Sequence, residues 1–256
     1  MEATPFSTLA EHYDAVMSSV DYDSWATYSL NLLLEAGYNG EGVIGDLGCG
    51  TGAISRRFAG IDLPVAALDL SLAMVQEGRR RGSIVHYGAG DLRHLPLRTG
   101  SLGAAVCLFD TLNYLVEPSD FRAALVEVHR TLQPGAPFLF DLVTRYSFRS
   151  SWCGPEQIIV HSPDRTVIWE GFMESDDIAR LDLTLYVSTR EAGLFRRVLE
   201  VHRERAYDIP TVRRALAAAG FENVQVFAHL TKRRPGSRTP RLMFAANAGA
   251  STGSRR

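Results

Sequence analysis

The chain has 256 residues, 46% of them hydrophobic, and a formal charge of −2 at neutral pH. That length supports one domain, or one domain with a cap, and the charge excludes a whole-surface trap for polyanions. No apolar run reaches membrane-span length, and three widely spaced cysteines (Cys49, Cys107, Cys153) form no CxxC pair, which argues for reduced thiols in a cytoplasm.

In chain order, the start Met-Glu-Ala-Thr-Pro-Phe-Ser lacks the basic and apolar stretches of a signal peptide. Residues 24–36 have helical spacing and stop at Gly37. Residues 43–46 read as a buried strand, 53–59 as a helix closed by Gly60, and 65–69 as a second strand. Ser71 is placed to cap a helix that runs to about Arg81. Strands follow at 84–87 and 102–109, then a helix at 121–132 and a strand at 137–142. Apolar strands alternating with helices predict a doubly wound α/β fold around a parallel sheet.

The pattern changes after that. Leu181, Leu183, Leu185 and Val187 alternate with Asp182, Thr184, Tyr186 and Ser188, the period of a half-exposed antiparallel strand. Residues 157–161, 166–172 and 195–207 read as its neighbours. A helix at 211–219 and strands at 223–229 and 241–247 end the fold, and residues 249–256 form a tail with nothing to bury. The expected organisation is a helical lid (1–40), a core (41–145), an inserted antiparallel β cap (146–207), the rest of the core (208–248) and a disordered tail (249–256).

Chemistry concentrates at Asp46-Leu-Gly-Cys-Gly-Thr-Gly52, between the first core strand and its helix. Glycine serves where the backbone takes φ > 0 or where a ligand must touch it. Gly48, Gly50 and Ala53 satisfy the dinucleotide pattern G-x-G-x-x-A, and Asp69 lies near the spacing of its ribose-binding acid, so a nicotinamide cofactor competes. Four features favour another cofactor. Asp46 repels phosphate and can accept from an ammonium group. Glycines continue to alternate through Gly52. A second acidic strand end follows at Gly90-Asp91. The chain closes as helix, strand, loop, strand.

With Leu68-Asp-Leu-Ser-Leu-Ala-Met74, Gly90-Asp-Leu92, Phe109-Asp-Thr-Leu-Asn-Tyr-Leu115 and Leu132-Gln-Pro-Gly135, this loop resembles the motifs of class I S-adenosylmethionine-dependent methyltransferases. The resemblance covers residues 40–145 specifically and 207–247 loosely. It implies a Rossmann-like, mostly parallel seven-stranded sheet with an antiparallel C-terminal strand. It also implies S-adenosylmethionine as methyl donor and S-adenosylhomocysteine as product; no metal is expected, since the sequence has no HxxxH and no tight cluster of His, Cys and carboxylates.

The family roles carried over are these. Gly48, Cys49 and Gly50 approach the methionine part of the donor, with Asp46 near its amino group. Asp69 accepts the ribose hydroxyls. Leu70 and Met74 line the adenine, whose amino group donates to Asp91 while Leu92 packs on the ring. Phe109 and Asp110 flank the sulfonium. Tyr13, in an N-terminal Tyr-Asp pair, offers a ring or hydroxyl to the same cation.

The cap resembles that of small-molecule methyltransferases, including amino-sugar N-methyltransferases. Candidate acceptor contacts are Tyr114, Arg145, Tyr146, Trp152, Trp169 and His202, and candidate catalytic groups are Tyr13, Asn113 and His202, the last as a general base. The expected partner is a small-molecule acceptor with a nitrogen or oxygen nucleophile, not nucleic acid or a membrane, and the expected state is monomer or homodimer. Five cations at 231–241, among them Lys232, the only lysine, keep an RNA methyltransferase as the alternative. An NAD(P)-dependent reductase and a cofactor-binding regulatory protein are the other readings.

Overall fold

The computed structural model describes residues 2–3, 5–82, 84–189, 191 and 193–249. The chain opens with a two-residue strand, β1 (Glu2–Ala3), a 3-10 turn at Leu9–Glu11, and helices α1 (Tyr13–Val16) and α2 (Tyr22–Glu35). The core then alternates β2 (Val43–Leu47), α3 (Ala53–Ala59), β3 (Val65–Asp69), α4 (Leu72–Arg80), β4 (His86–Ala89) and β5 (Leu102–Cys107). A 3-10 turn at Thr111–Tyr114, α5 (Pro118–Thr131) and β6 (Pro137–Val143) complete its first part. Short helical turns, α6 (Arg145–Ser147) and a π turn at Phe148–Trp152, lead into β7 (Gly154–Ser162), β8 (Arg165–Met173), β9 (Ile178–Ser188) and β10 (Phe195–Arg205). The fold ends with α7 (Ile209–Ala218), β11 (Phe221–Ala228) and β12 (Arg241–Ala248).

The core sheet runs β11-β12-β6-β5-β2-β3-β4, with β12 antiparallel to both neighbours. Every residue of β5 and β6 is buried, as sheet strands covered on both faces must be. One face packs against α5 and α7 around Phe121, Phe138, Phe140 and Leu216, and the other against α2 and α3 around Leu33, Ile44 and Phe58. Phe140 and Phe244 stack at 4.9 Å across the β6–β12 pair. Local signals start the helices. Asp21 accepts from Ser24 N (3.0 Å), Ser71 from Met74 N (3.3 Å) and Asp208 from Thr211 N (2.7 Å). From β2 the chain moves outward to β3 and β4, then returns to the other side of β2 as β5. That reversal leaves a crevice at the carboxyl ends of β2 and β5.

The second sheet runs β1-β10-β9-β8-β7, antiparallel except that β1 adds parallel to β10. The period-two reading of β9 holds: Ala179, Leu181, Leu183 and Leu185 are buried and their neighbours half-exposed. This apolar face packs on Phe6, Leu9, Tyr13 and Val16, so the cap grips the N-terminal segment. Three expectations need correction. The strand placed at 84–87 begins at His86, because Ile84 is 71% exposed. The strand placed at 102–109 stops at Cys107, because Phe109 and Asp110 have φ of 58° and 56°. Residues 1–40 are not wholly helical, since Glu2–Ala3 joins the cap sheet. Residues 250–256 of the expected disordered tail lie outside the described residues.

Candidate functional site

A cavity of about 560 Å³ fills the crevice. Its floor is the loop after β2. Gly48 has φ +77°, and a Cβ there would meet Thr111 Cγ2 at 2.2 Å. Gly52 has φ +79° and would drive a Cβ into Tyr87. Both positions therefore need glycine on two counts, conformation and space. The loop is pinned from β3: Asp69 Oδ2 accepts from Gly50 N and Oδ1 from Ser71 N, each at 2.8 Å. Burial pushes the Asp69 carboxyl up, against those two hydrogen bonds.

Asp46, at the end of β2, is buried and accepts from Ser55 Oγ at 2.5 Å. Burial raises it to about 6. The sign follows. Between its ordinary value of 3.8 and about 6 the folded chain holds a proton that the unfolded chain has lost, so stability falls as pH rises through that window. An ammonium group beside Asp46 reverses the preference. The affinity of a ligand that brings an ammonium group there is expected to rise about tenfold between pH 5 and 7 as Asp46 ionises. Titration calorimetry across that range checks it, and Asp46→Asn should flatten the slope.

The rim holds apolar groups exposed to water. Leu70 is 72% exposed and Leu72 54%, and both line the cavity beside Met74 and Leu92. Exposed apolar surface in a concave site marks a ligand face. Asp91 lies on the same wall, but Arg93 bonds both its oxygens, with Nη2 at 2.6 Å from Oδ2, and holds the carboxyl below its ordinary value. An adenine amino group would share Asp91 with Arg93. Cys49 also lines the cavity; burial raises its thiol well above the usual value, so it is no thiolate nucleophile.

The other wall is aromatic. Phe109 sits against Trp25 (4.4 Å) and Tyr22 (5.3 Å). This packing and the Asp110–Arg241 pair hold two successive residues in the left-handed region, a conformation that costs energy without such support. Tyr13 and Phe6 meet edge-to-face at 6.0 Å, and Phe6 faces Tyr114 at 5.4 Å. Asp14 fixes the Tyr13 helix to the floor by accepting from Thr51 Oγ1 (2.6 Å) and pairing with Arg81 (2.7 Å). Ser71 Oγ donates to Phe6 O at 2.8 Å, which draws the N-terminal strap over the opening.

Tyr13, Asp46, Gly48, Cys49, Gly50, Asp69, Leu70, Met74, Asp91, Leu92, Phe109 and Tyr114 all line this cavity. Other expected residues do not. Asp110 turns to Arg241 Nη1 (2.8 Å). Asn113 is no free orienting group: its amide donates to Val143 O (3.1 Å) and Arg205 O (2.8 Å), and its oxygen accepts from Val143 N (3.0 Å), which ties core to cap. Arg145 pairs with Asp177, and with Tyr146 it borders a separate shallow depression. Trp152 and Trp169 pack on each other at 5.5 Å, and Trp169 Nε1 donates to Trp152 O (3.1 Å). His202 stands behind Tyr114, with Nδ1 3.0 Å from its hydroxyl.

Sequence reasoning missed Phe6, Glu200, Glu204 and Arg241. Glu200, His202 and Glu204 alternate on one face of β10, and all are buried. Titratable residues at period two in a cap strand were the available signal. Burial and the charge of Asp110 raise the Glu204 carboxyl well above its ordinary value. Arg241 read as part of the basic loop. It instead bonds Asp110 and Asp141 and lies 5.6 Å from the Trp25 ring centre. Among the described residues, no group of three or more His, Cys, Asp or Glu could hold a metal, and no helix is long and apolar enough to cross a membrane.

Paired acceptor oxygens on β3, a bare glycine floor and apolar rim groups meet in the switch-point crevice of a doubly wound α/β protein, where such folds bind their ligands. Residues 44–135 match the family model described as a methyltransferase domain. The chain is 30% identical over 246 residues to the putative methyltransferase YqeM of Bacillus subtilis, covering 94% of this chain and 96% of that one. A solved S-adenosylmethionine-dependent methyltransferase from Clostridium acetobutylicum has the same fold (TM-score 0.81, 22% identity, 95% and 98% coverage). So does the sugar N-methyltransferase KedS8 from Streptoalloteichus (TM-score 0.76, 20% identity, 93% of each chain). The chain belongs to the S-adenosylmethionine-dependent methyltransferase family.

Proposed function

We propose that this chain methylates a small-molecule acceptor at a nitrogen or oxygen atom. The observation that carries the reading is the closure of the cavity. The strap at Pro5, Phe6 and Ser7 and the Tyr13 helix cover it, and both are held by the cap sheet. A roofed space of about 560 Å³ suits a cofactor and a small acceptor, not a folded nucleic acid. In this reading Asp69 holds the ribose, Asp46 the amino group, Leu70, Met74 and Leu92 the adenine, and Tyr13 and Phe109 the sulfonium. S-adenosylmethionine, when bound, supplies an electrophilic methyl that already carries its leaving group. The protein supplies position and a dry site.

The sugar N-methyltransferase among the similar folds makes amino sugars the first acceptors to try. The free cysteines suit a cytoplasmic enzyme. RNA is the second reading, but two of the five cations that motivate it are engaged: Lys232 with Glu35 and Arg241 with Asp110 and Asp141. The test has two stages. S-adenosylhomocysteine should bind by calorimetry and NADH should not; the reverse result removes the methyltransferase reading. A methyl-transfer screen over amines, amino sugars, phenols and carboxylates should then give product. Transfer to tRNA alone, with a tRNA shift at low salt, would replace the small molecule with RNA.

A further inference from the structure

We infer that Tyr114, His202 and Glu200 form a proton relay for the methyl acceptor, wired to the N-terminal strap through Glu200. Tyr114 is the group that touches the acceptor; His202 and Glu200 are positioning residues. The inference rests on the methyl-transfer reading above.

Tyr114, His202 and Glu200 follow one another inward from the cavity, and Glu204 also lies against the Tyr114 hydroxyl. Tyr114 lines the cavity, and its hydroxyl lies 3.0 Å from His202 Nδ1. His202 is 1% exposed, and its Nε2 lies 3.6 Å from Glu200 Oε2, with no closer partner among the described residues. Phe6 closes the histidine off from solvent, 4.9 Å away and edge-on. Glu200 cannot turn toward another ring: its carboxylate accepts from Phe6 N (2.7 Å), Thr8 N (2.7 Å) and Leu9 N (2.9 Å). Burial disfavours its charge, yet the neighbouring His202 ring and the hydrogen bonds from these three amides outweigh that and hold its carboxyl low. A fixed anion on the Nε2 side selects the tautomer with hydrogen on Nε2, which leaves Nδ1 as a lone pair facing the phenol.

Burial, then the charges of Glu204 and Asp110, push the Tyr114 phenol well above its ordinary value, and Tyr13 adds to the effect. Tyr114 therefore stays protonated at neutral pH. It can take a proton only while giving one up. The acceptor's N–H or O–H proton passes to Tyr114 Oη as the phenol's own proton passes to His202 Nδ1. The acceptor keeps the freed electron pair for attack, the tyrosine stays neutral, and the imidazolium is balanced by Glu200. Strap and relay share Glu200, so the relay is complete only when the strap is seated over the cavity.

The test uses the full chain saturated with S-adenosylhomocysteine and labelled with 15N in its histidine rings. The His202 signal is assigned by its loss in His202→Gln. Nitrogen shifts should show hydrogen on Nε2 and an accepting Nδ1. Tyr114→Phe should move the His202 Nδ1 shift and leave the other histidine rings in place. Hydrogen on Nδ1, or an Nδ1 indifferent to Tyr114→Phe, would overturn the relay while cofactor binding stands. Failure to bind S-adenosylhomocysteine would instead remove the methyltransferase reading. With the best acceptor from the screen, Tyr114→Phe should lower kcat about 100-fold, the scale of one general base, with KM within about threefold. An unchanged kcat would also overturn the proposal.

Discussion

Arg241→Met is expected to destabilise the chain by about 3–5 kcal/mol at pH 8, the cost of stripping the partner from a buried charge. Asp141 has no exposed surface. Its Oδ2 takes Arg241 and Asp110 N (3.1 Å), and its Oδ1 has no partner among the described residues. Burial raises its carboxyl and Arg241 opposes that rise. Methionine keeps the stem packed near Trp25 but removes the opposing charge, so Asp141 moves further up. The variant's native state then holds a proton that the wild type has released. By linkage its deficit grows as pH rises above about 6, where wild-type Asp141 gives up its proton, and is small near pH 4. Denaturant unfolding at pH 4.5 and 8 measures both ends. Asp141→Asn added to Arg241→Met should recover part of the loss at pH 8. Equal deficits at both pH values, or no recovery, would show that Arg241 serves packing and not charge. The same variant frees Asp110, and with it the left-handed turn that presents Phe109 to the cavity.

The sequence made the core readable because its signals are local. An unbroken apolar run marked β5, a mostly apolar one marked β6, Ser71 marked the start of α4, and alternate glycines marked the cavity floor. All of these act within a few residues of chain. The acceptor side depends on distant pairs. Asn113 and Arg205 are 92 residues apart, and Phe6 and Glu200 are 194 apart, so neither contact leaves a periodic trace. Aromatic residues in the cap looked like acceptor contacts because large rings suit both ligands and cores. Trp152 and Trp169 use theirs on each other. His202 was visible as a titratable residue, but its route to the cavity runs through Tyr114, which sequence placed on another element. The turn at Phe109–Asp110 was hidden for a different reason. Neither is glycine, and their positive φ is imposed by Trp25, Tyr22 and Arg241 rather than by local preference.

Asp69→Ala is expected to weaken S-adenosylhomocysteine binding by about 3 kcal/mol, roughly 150-fold in Kd. A carboxylate offers about four lone-pair positions, and Gly50 N and Ser71 N use one on each oxygen. One position per oxygen remains for the two hydroxyls of a ribose. Hydrogen bonds to a charged acceptor are each worth about 1.5–3 kcal/mol, so losing the pair accounts for the expected figure. Alanine also releases the two amides, which loosens the floor between Gly50 and Ser71. Asp69→Asn separates the two effects, because one oxygen and the side-chain volume survive. Its affinity should fall between wild type and alanine, while its melting temperature stays closer to wild type. Calorimetric binding and thermal unfolding on the same samples decide the matter. Alanine that lowers the melting temperature yet binds within about twofold of wild type would make Asp69 a staple for the glycine loop and nothing more. A large loss of affinity in asparagine, whose fold is intact, would tie the carboxylate to the ribose directly.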